Sequence, residues 1–280
     1  MRSPSSSTPG VTHLEREPNP RSGGAGTCAI AVMAKVPRSG RSKTRLCPPL
    51  GPDQAARLSA AFLRDTTRTI LAAARTAPIA AYAAYAPRGE EAGIAPHLPN
   101  GIALLLADGT APAPAGVEGF GRCLLQAIEG MLGRGHAAAC VLSSDAPTLP
   151  ARILVQAALL LLAAGDRAVL GACEDGGYYL LGLKAAHASL FADIAWSTGG
   201  VAEATRARAR SLGLDLVELE PWYDVDDAAS LAVLVEDASA FDAPATRAVL
   251  ADLAVETASS PAPRTGETIA GATDAVCASA

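Results

Sequence analysis

Five cationic side chains fall within eleven residues in the run Lys35-Val36-Pro37-Arg38-Ser39-Gly40-Arg41-Ser42-Lys43-Thr44-Arg45, directly after an apolar stretch. Lys and Arg supply the point charges and forked donors that phosphate oxygens take, and Gly40, Ser39 and Ser42 let backbone N–H groups approach an anion. That chemistry points to a polyphosphate. A Walker A loop is excluded, because Ser42 stands where that motif needs Gly before Lys43, and Cys47-Pro48-Pro49 follows where a helix would begin. The plain alternative is a solvated basic loop.

Two acidic sites follow strand-like runs. Val141-Leu142-Ser143-Ser144-Asp145-Ala146-Pro147 ends on a lone carboxylate, and Trp222-Tyr223-Asp224-Val225-Asp226-Asp227 carries three. A hard cation such as Mg²⁺ or Mn²⁺ keeps several waters and takes one or two protein carboxylates plus phosphate oxygens, which suits Asp145. In extended backbone Asp224 and Asp226 share a face and could meet one ion, while Asp227 reads as a helix cap. For Asp145 the alternative is a cap or turn before the helix near Pro150. A further segment, Glu174-Asp175-Gly176-Gly177-Tyr178, separates two strand-like runs. It reads either as an ordinary hairpin or as bare backbone admitting a substrate beside Asp175 and Tyr178. Trp196-Ser197-Thr198 is open in the same way, between a helix cap and a contact to an acceptor.

These segments need a frame that brings them together. Short apolar runs at 28–34, 79–85, 102–107, 138–142, 168–171, 178–183 and 215–220 alternate with helical patterns from Pro52, at 122–132, 150–164 and 200–212, and from Asp227. Such alternation predicts an α/β fold, a three-layer sandwich whose mainly parallel sheet is covered on both faces. Ligands in such sheets sit where the strands end at their carboxyl side, and that is where all the unusual residues fall. Residues 1–26 and 257–280, rich in Ser, Pro, Gly and small residues, read as a disordered extension and tail around one domain at 27–256.

Composition narrows the function. The chain has 280 residues, is 50% hydrophobic and 4% aromatic, and carries a net charge of −5, which gives no diffuse positive field for nucleic acid. No apolar run is long enough to cross a bilayer, and no signal-peptide pattern opens the chain, so a cytoplasmic protein is expected. Six separated cysteines without a CxxC pair argue against structural zinc. A GxSxG elbow and a GxGxxG loop after the first strand are both absent, which demotes a serine hydrolase and a dinucleotide binder.

Several motifs in order resemble a known family. Met33-Ala34-Lys35-x-Pro37-x-x-Gly40-x-x-Lys43-Thr44-Arg45-Leu46, Leu50-Gly51, Ala61-Phe62-Leu63-x-Asp65-Thr66, Ser144-Asp145-x-Pro147-x-Leu149-Pro150, Asp175-Gly176-Gly177-Tyr178-Tyr179-Leu180-x-Gly182-Leu183, Trp196-Ser197-Thr198 and Tyr223-Asp224-Val225-Asp226 are similar to an incompletely characterised family of Rossmann-like glycosyltransferase-A fold. The resemblance spans roughly 28–235. That family lies in the nucleotide-diphospho-sugar transferase superfamily with the 2-phospholactate and molybdenum-cofactor guanylyltransferases, and is often labelled a glycosyltransferase, including in arsenosugar and radical-SAM-associated gene neighbourhoods. The resemblance implies that Lys35, Gly40, Arg41, Lys43 and Arg45 hold phosphates, that Lys43, Arg45 and Asp145 act in catalysis, and that Asp145, Asp224 and Asp226 hold Mg²⁺ or Mn²⁺. Asp175, Gly176, Gly177, Tyr178, Trp196, Ser197 and Thr198 would contact substrate.

Many sugar-nucleotide transferases of this fold carry Asp-x-Asp at the metal site, whereas position 143 here is Ser. That departure favours nucleotidyl transfer or a modified metal site, and because so many cations suit a triphosphate the expected activity is nucleotidyl transfer from a nucleoside triphosphate to a small phosphorylated or carboxylated acceptor. The alternatives are glycosyl transfer from a nucleotide-diphospho-sugar and a non-catalytic nucleotide-binding module. The expected partners are a nucleotide and a small acceptor, with no nucleic acid and no membrane; a homodimer is compatible with the sequence.

Overall fold

The computed structural model describes residues 26–237 and 240–259. Strand β1 (Cys28–Ala34) leads through helix α1 (Pro52–Ala73) to β2 (Ile79–Tyr85), and the short α2 (Glu91–Ile94) precedes β3 (Ala103–Leu106). Then follow α3 (Phe120–Leu132), β4 (Ala138–Leu142), α4 (Ala151–Leu162), β5 (Arg167–Ala172), β6 (Tyr178–Leu183), α5 (Val201–Leu212) and β7 (Asp215–Glu218). Helices α6 (Ala228–Asp237) and α7 (Pro244–Ser259) end the described chain. Four expected strands have the bounds read from their apolar runs. The others are trimmed or extended by a few residues, because strand ends are set by pairing partners and not by hydrophobicity alone.

The seven strands form one sheet in the order β3-β2-β1-β4-β6-β5-β7. Strands β3, β2, β1 and β4 are parallel neighbours, β6 runs antiparallel to both β4 and β5, and β7 is parallel to β5. The reversal at β6 follows from chain length: the link from β5 spans only residues 173–177, too short for the crossover a parallel pair needs. Successive residues of β1 go to opposite faces. Cys28, Ile30 and Val32 pack in one core with α1 and α4, whereas Ala29 and Ala31 pack in the other against Leu124, Ile128 and Met131 of α3. The three layers follow, and the strands read as continuous apolar runs because both faces are buried.

A third, smaller cluster joins Leu46, Leu58, Phe62, Val225, Leu231 and Leu234, and so ties the basic loop to α1, α6 and the segment before it. Helix α7 lies on α1, and Asp65, only 1% exposed, accepts the N–H groups of Ala245 at 3.1 Å and Thr246 at 2.7 Å at its start. Asp65 thus caps a helix far away in sequence, both with hydrogen bonds and with charge at the positive end of the helix dipole. Asp65→Ala is expected to cost about 1–2 kcal/mol by urea unfolding, and Asp65→Asn less, since one acceptor remains. Equal stability of all three proteins would remove the capping role.

The expected tail begins at 257, yet α7 continues to Ser259, a shift of three residues in that boundary. The remainder of the expected extension and tail lies outside the described residues. No helix among the described residues is long and apolar enough to cross a membrane.

Candidate functional site

Between β1 and β4 the connections diverge: β1 leads to β2 on one side, while β4 lies on the other. A cavity of about 890 Å³ opens there, at the carboxyl ends of the strands. Its volume is at the upper end of the usual range for small-molecule sites, which gives room for two substrates. Lys35, Arg41, Lys43 and Arg45 reach it from the basic loop, Asp145 from the end of β4, and Asp224 and Asp226 from the segment before α6. Asp175, Gly177 and Tyr178 line it from the β5–β6 turn, and Trp196, Ser197 and Thr198 from the loop before α5. Gly40 and Gly176 do not line it.

Three segments meet at Lys43. Its Nζ donates to Asp145 Oδ1 at 2.8 Å, to Asp226 Oδ1 at 2.7 Å and to the Val225 carbonyl at 2.7 Å. An ammonium has three N–H donors, and all three are used. The side chain is 8% exposed, and its backbone is left-handed at φ 50°. Burial pushes the ammonium's pKa down, but Asp145 and Asp226 outweigh it and hold the group above its ordinary value. Lys43 therefore stands as counterion to two carboxylates at the edge of the cavity where it was expected to hold phosphate. Arg45 Nη1 also leans to Asp226, at 3.7 Å. Arg38 is taken by Glu90 at 2.6 Å. Among the described residues, Lys35 and Arg41 have no ion-pair partner, so the positive charge left for an anion is theirs.

Backbone hydrogen bonds fix this meeting. Segment 222–226 is held to the ends of β5 and β4 by Trp222 N–H to the Ala172 carbonyl at 3.1 Å and Val225 N–H to the Asp145 carbonyl at 2.8 Å. Ser143 Oγ accepts the Asp145 N–H at 3.1 Å, so the residue that replaces an expected acid orients the turn. Asp227 Oδ1 accepts the Ser230 N–H at 2.9 Å, the cap read from its position.

Asp224 and Asp226 do not converge on one point as their spacing predicts. Asp226 faces Lys43, whereas Asp224 gathers with Asp175 and Cys173, one ligand atom of each lying within 4.8 Å of the others. The segment is paired by one isolated bridge, Trp222 with Cys173, and not by a regular ladder, so the period-two rule fails locally. No cationic side chain pairs with Asp175 or Asp224 among the described residues. Burial, with the charge of Asp175, Asp226 and Asp145, pushes the Asp224 carboxyl up to about 6. Two carboxylates with uncompensated charge, backed by a thiol, fit a divalent cation.

The shift has a signed consequence. With a folded pKa of about 6 against the ordinary 3.8, the fold binds this proton more tightly than the unfolded chain does. The stabilisation is complete below about pH 4 and is lost as pH rises through 6. Asp224→Asn should therefore raise metal-free stability at pH 8 by about 1–2 kcal/mol and flatten the profile between pH 4 and 6. Urea titrations across that range check it; a destabilised variant at pH 8 would contradict it.

The 173–177 turn is the hairpin that one reading of its sequence gave, and it also borders the cavity. Gly177 N–H donates to Asp175 Oδ1 at 2.8 Å, and the Gly176 carbonyl accepts the Ala202 N–H at 2.9 Å. Gly176 thus packs backbone on backbone against the loop before α5 and does not face substrate, a correction to its expected role. The Tyr178 hydroxyl is buried without a partner, and burial pushes its pKa up. Thr198 Oγ1 donates to the Ala195 carbonyl at 2.7 Å, a bond within its own loop. Phe120, which the sequence reading passed over, lines the cavity with its ring centroid 5.8 Å from that of Trp196. The flanking Gly119 and Gly121 were the signal for it.

Residues 66–198 match a family described as an uncharacterized protein conserved in bacteria, DUF2064. A search of curated proteins returns no match. Among solved structures, a putative nucleotide-diphospho-sugar transferase from Desulfovibrio desulfuricans G20 is 24% identical, covering 81% of this chain and 95% of that chain with a TM-score of 0.68. CMP:2-keto-3-deoxy-manno-octonic acid synthetase complexed with CTP is 14% identical over 75% of this chain and 99% of its own, with a TM-score of 0.43. Rv0371c from Mycobacterium tuberculosis H37Rv is 14% identical over 75% of this chain and 98% of its own, with a TM-score of 0.42. The first of these shares the fold of this chain, the α/β sandwich with a mainly parallel sheet that the sequence predicts.

Proposed function

We propose that this protein transfers a nucleotidyl group from a nucleoside triphosphate to a small phosphorylated or carboxylated acceptor, with a divalent cation. The observation that carries this reading is one cavity at the diverging strand ends that holds two unpaired cations, Lys35 and Arg41, beside two unneutralised carboxylates, Asp175 and Asp224. Polyphosphate with a bound cation is the ligand whose charge pattern complements both.

In this reading Lys35 and Arg41 hold the outer phosphates and Arg45 stands at the rim. Lys43 pairs with Asp145 and Asp226 and fixes the 222–226 segment. Asp175 and Asp224 would hold the cation, which supplies charge stabilisation at the phosphates when bound. An acceptor oxygen attacks the α-phosphorus, the bond from that phosphorus to the bridging oxygen breaks, and pyrophosphate leaves with the charge of that oxygen. Glycosyl transfer is the second reading. It uses the same phosphate groups with a nucleoside diphosphate as the leaving group, and its support is the name carried by the D. desulfuricans neighbour.

The test is thermal stabilisation against nucleoside triphosphates, nucleoside diphosphates and nucleotide sugars, each with and without Mg²⁺ or Mn²⁺. A cation-dependent shift with a triphosphate, followed by pyrophosphate release in the presence of phosphorylated acceptors, is expected. A shift only with a nucleotide sugar and its diphosphate would move the assignment to glycosyl transfer, and no shift with any nucleotide would overturn both.

A further inference from the structure

We infer that Phe120 and Trp196 form a stacking platform for a planar aromatic ring on one of the two substrates, a reading that rests on the nucleotide-transfer assignment above. Five large apolar side chains stay exposed among the described residues, and Phe120, 45% exposed, is the one of them that lines the cavity. Its ring meets Trp196 edge to face at 87°. Such a pair leaves ring surface for a third partner, and stacking on a π-face is its natural use.

The backbone is shaped for this pair. Gly119 has φ 52° and ψ −128°, a conformation L side chains avoid, and it sets the direction in which α3 presents Phe120. At Gly121 a Cβ would stand 2.9 Å from Trp196 Cζ2, so bare backbone there lets the indole lie against the helix. Ser197, next to the indole, is also left-handed at φ 63°. The carboxyl ends of β2 and β3 contribute Ala84 and Ala107 to the same cavity, side chains small enough to leave room for a ring.

Gln126 and Arg122 of α3 are committed elsewhere. Gln126 accepts the Gly109 N–H at 2.8 Å and donates to the Leu106 carbonyl at 3.2 Å, and Arg122 donates to the Gly109 carbonyl at 2.8 Å and the Ala111 carbonyl at 3.0 Å. They lock the 109–111 loop instead of reading ring edges. Recognition is then by face and not by edge, and purine and pyrimidine triphosphates should differ by less than about tenfold in affinity, because every base has a π-face.

The ring can belong to the donor's base or to the acceptor. Binding to full-length protein, its Phe120→Ala variant and its Phe120→Leu variant is measured with Mg²⁺ and four probes: ATP, CTP, inorganic tripolyphosphate and phenyl phosphate. Phe120 is exposed enough for both variants to fold, and matching melting curves verify it. If the donor's base stacks, Phe120→Ala weakens ATP and CTP by about 5- to 150-fold and leaves tripolyphosphate unchanged. Phe120→Leu, with apolar area but no π-face, also weakens them. If the acceptor carries the ring, the same loss falls on phenyl phosphate while ATP, CTP and tripolyphosphate are unchanged. Unchanged binding of all ring-bearing probes by both variants overturns the platform while nucleotide transfer stands. Failure of the parent to bind ATP, CTP and tripolyphosphate overturns nucleotide transfer instead, and phenyl phosphate then decides the platform alone.

Discussion

Lys43→Met is expected to lower stability by about 1–3 kcal/mol and to reduce the proposed nucleotidyl transfer by on the order of 10²-fold. Methionine keeps much of the stem but removes the ammonium, which sits 5.6 Å from the Phe62 ring centroid and whose charge Asp145 and Asp226 share. Breaking a buried pair by removing one partner costs about 3–5 kcal/mol in general. Here the two carboxylates are 30% and 35% exposed, so water takes up part of the loss and the lower range applies. Transfer suffers separately, because the ammonium also holds the Val225 carbonyl and thereby the segment that presents Asp224. The decisive measurement is a double-mutant cycle with Asp226→Asn, in urea unfolding. If Lys43 is the counterion, the double variant regains part of the loss and the coupling is about 0.5–3 kcal/mol. Strict additivity would show that the contact carries no energy.

The sequence made the frame of this site readable because its strands are buried on both faces. Runs such as Cys28–Ala34 and Ala138–Leu142 are continuous apolar stretches with polar boundaries, so the run itself marks where the strand lies. The chemistry-bearing loops were readable for the same reason, since each begins where such a run stops. Periodicity could not give the partnerships within the loops. Lys43 and Asp226 are 183 positions apart, and their contact depends on a left-handed turn at Lys43 together with a segment that is neither strand nor helix. The two-residue period placed Asp224 with Asp226, but that period holds only while a ladder keeps the pleat, and here one isolated bridge at Trp222 replaces it.

Charge counting in the sequence could not rank the cations of the basic loop. Five cations in one loop look equivalent in one dimension, yet the fold spends Lys43 on carboxylates and Arg38 on Glu90, and leaves Lys35 and Arg41. Function is therefore better assigned to cations that the fold leaves unpaired than to every cation in a motif. Asp65 shows the same point from the other side. It sits in a motif that resembles a functional family, and its carboxylate is fully used in capping α7.

Gly176→Ala is expected to be the most destabilising single-carbon change at the site, at roughly 3–5 kcal/mol. At this residue φ is +89°, and a Cβ would stand 1.9 Å from the Gly199 carbonyl oxygen and 2.8 Å from its Cα. Both obstacles are backbone, so no rotamer change relieves them; the β5–β6 turn or the 197–200 loop has to move. The Ala202 N–H bond to the Gly176 carbonyl at 2.9 Å goes with it, and with that bond the start of α5. Gly213→Ala is the control. Its φ of +66° brings the same left-handed cost, but nothing lies within 4 Å of its Cβ, so about 1 kcal/mol is expected. The difference between the two variants in urea unfolding isolates the backbone contact from the conformational penalty. Because the 197–200 loop carries Ser197 and Thr198 to the cavity, Gly176→Ala should also weaken substrate binding, although Gly176 itself does not line the cavity. Equal losses at Gly176 and Gly213 would mean that the loop yields freely and that its place beside the turn is not set by this packing.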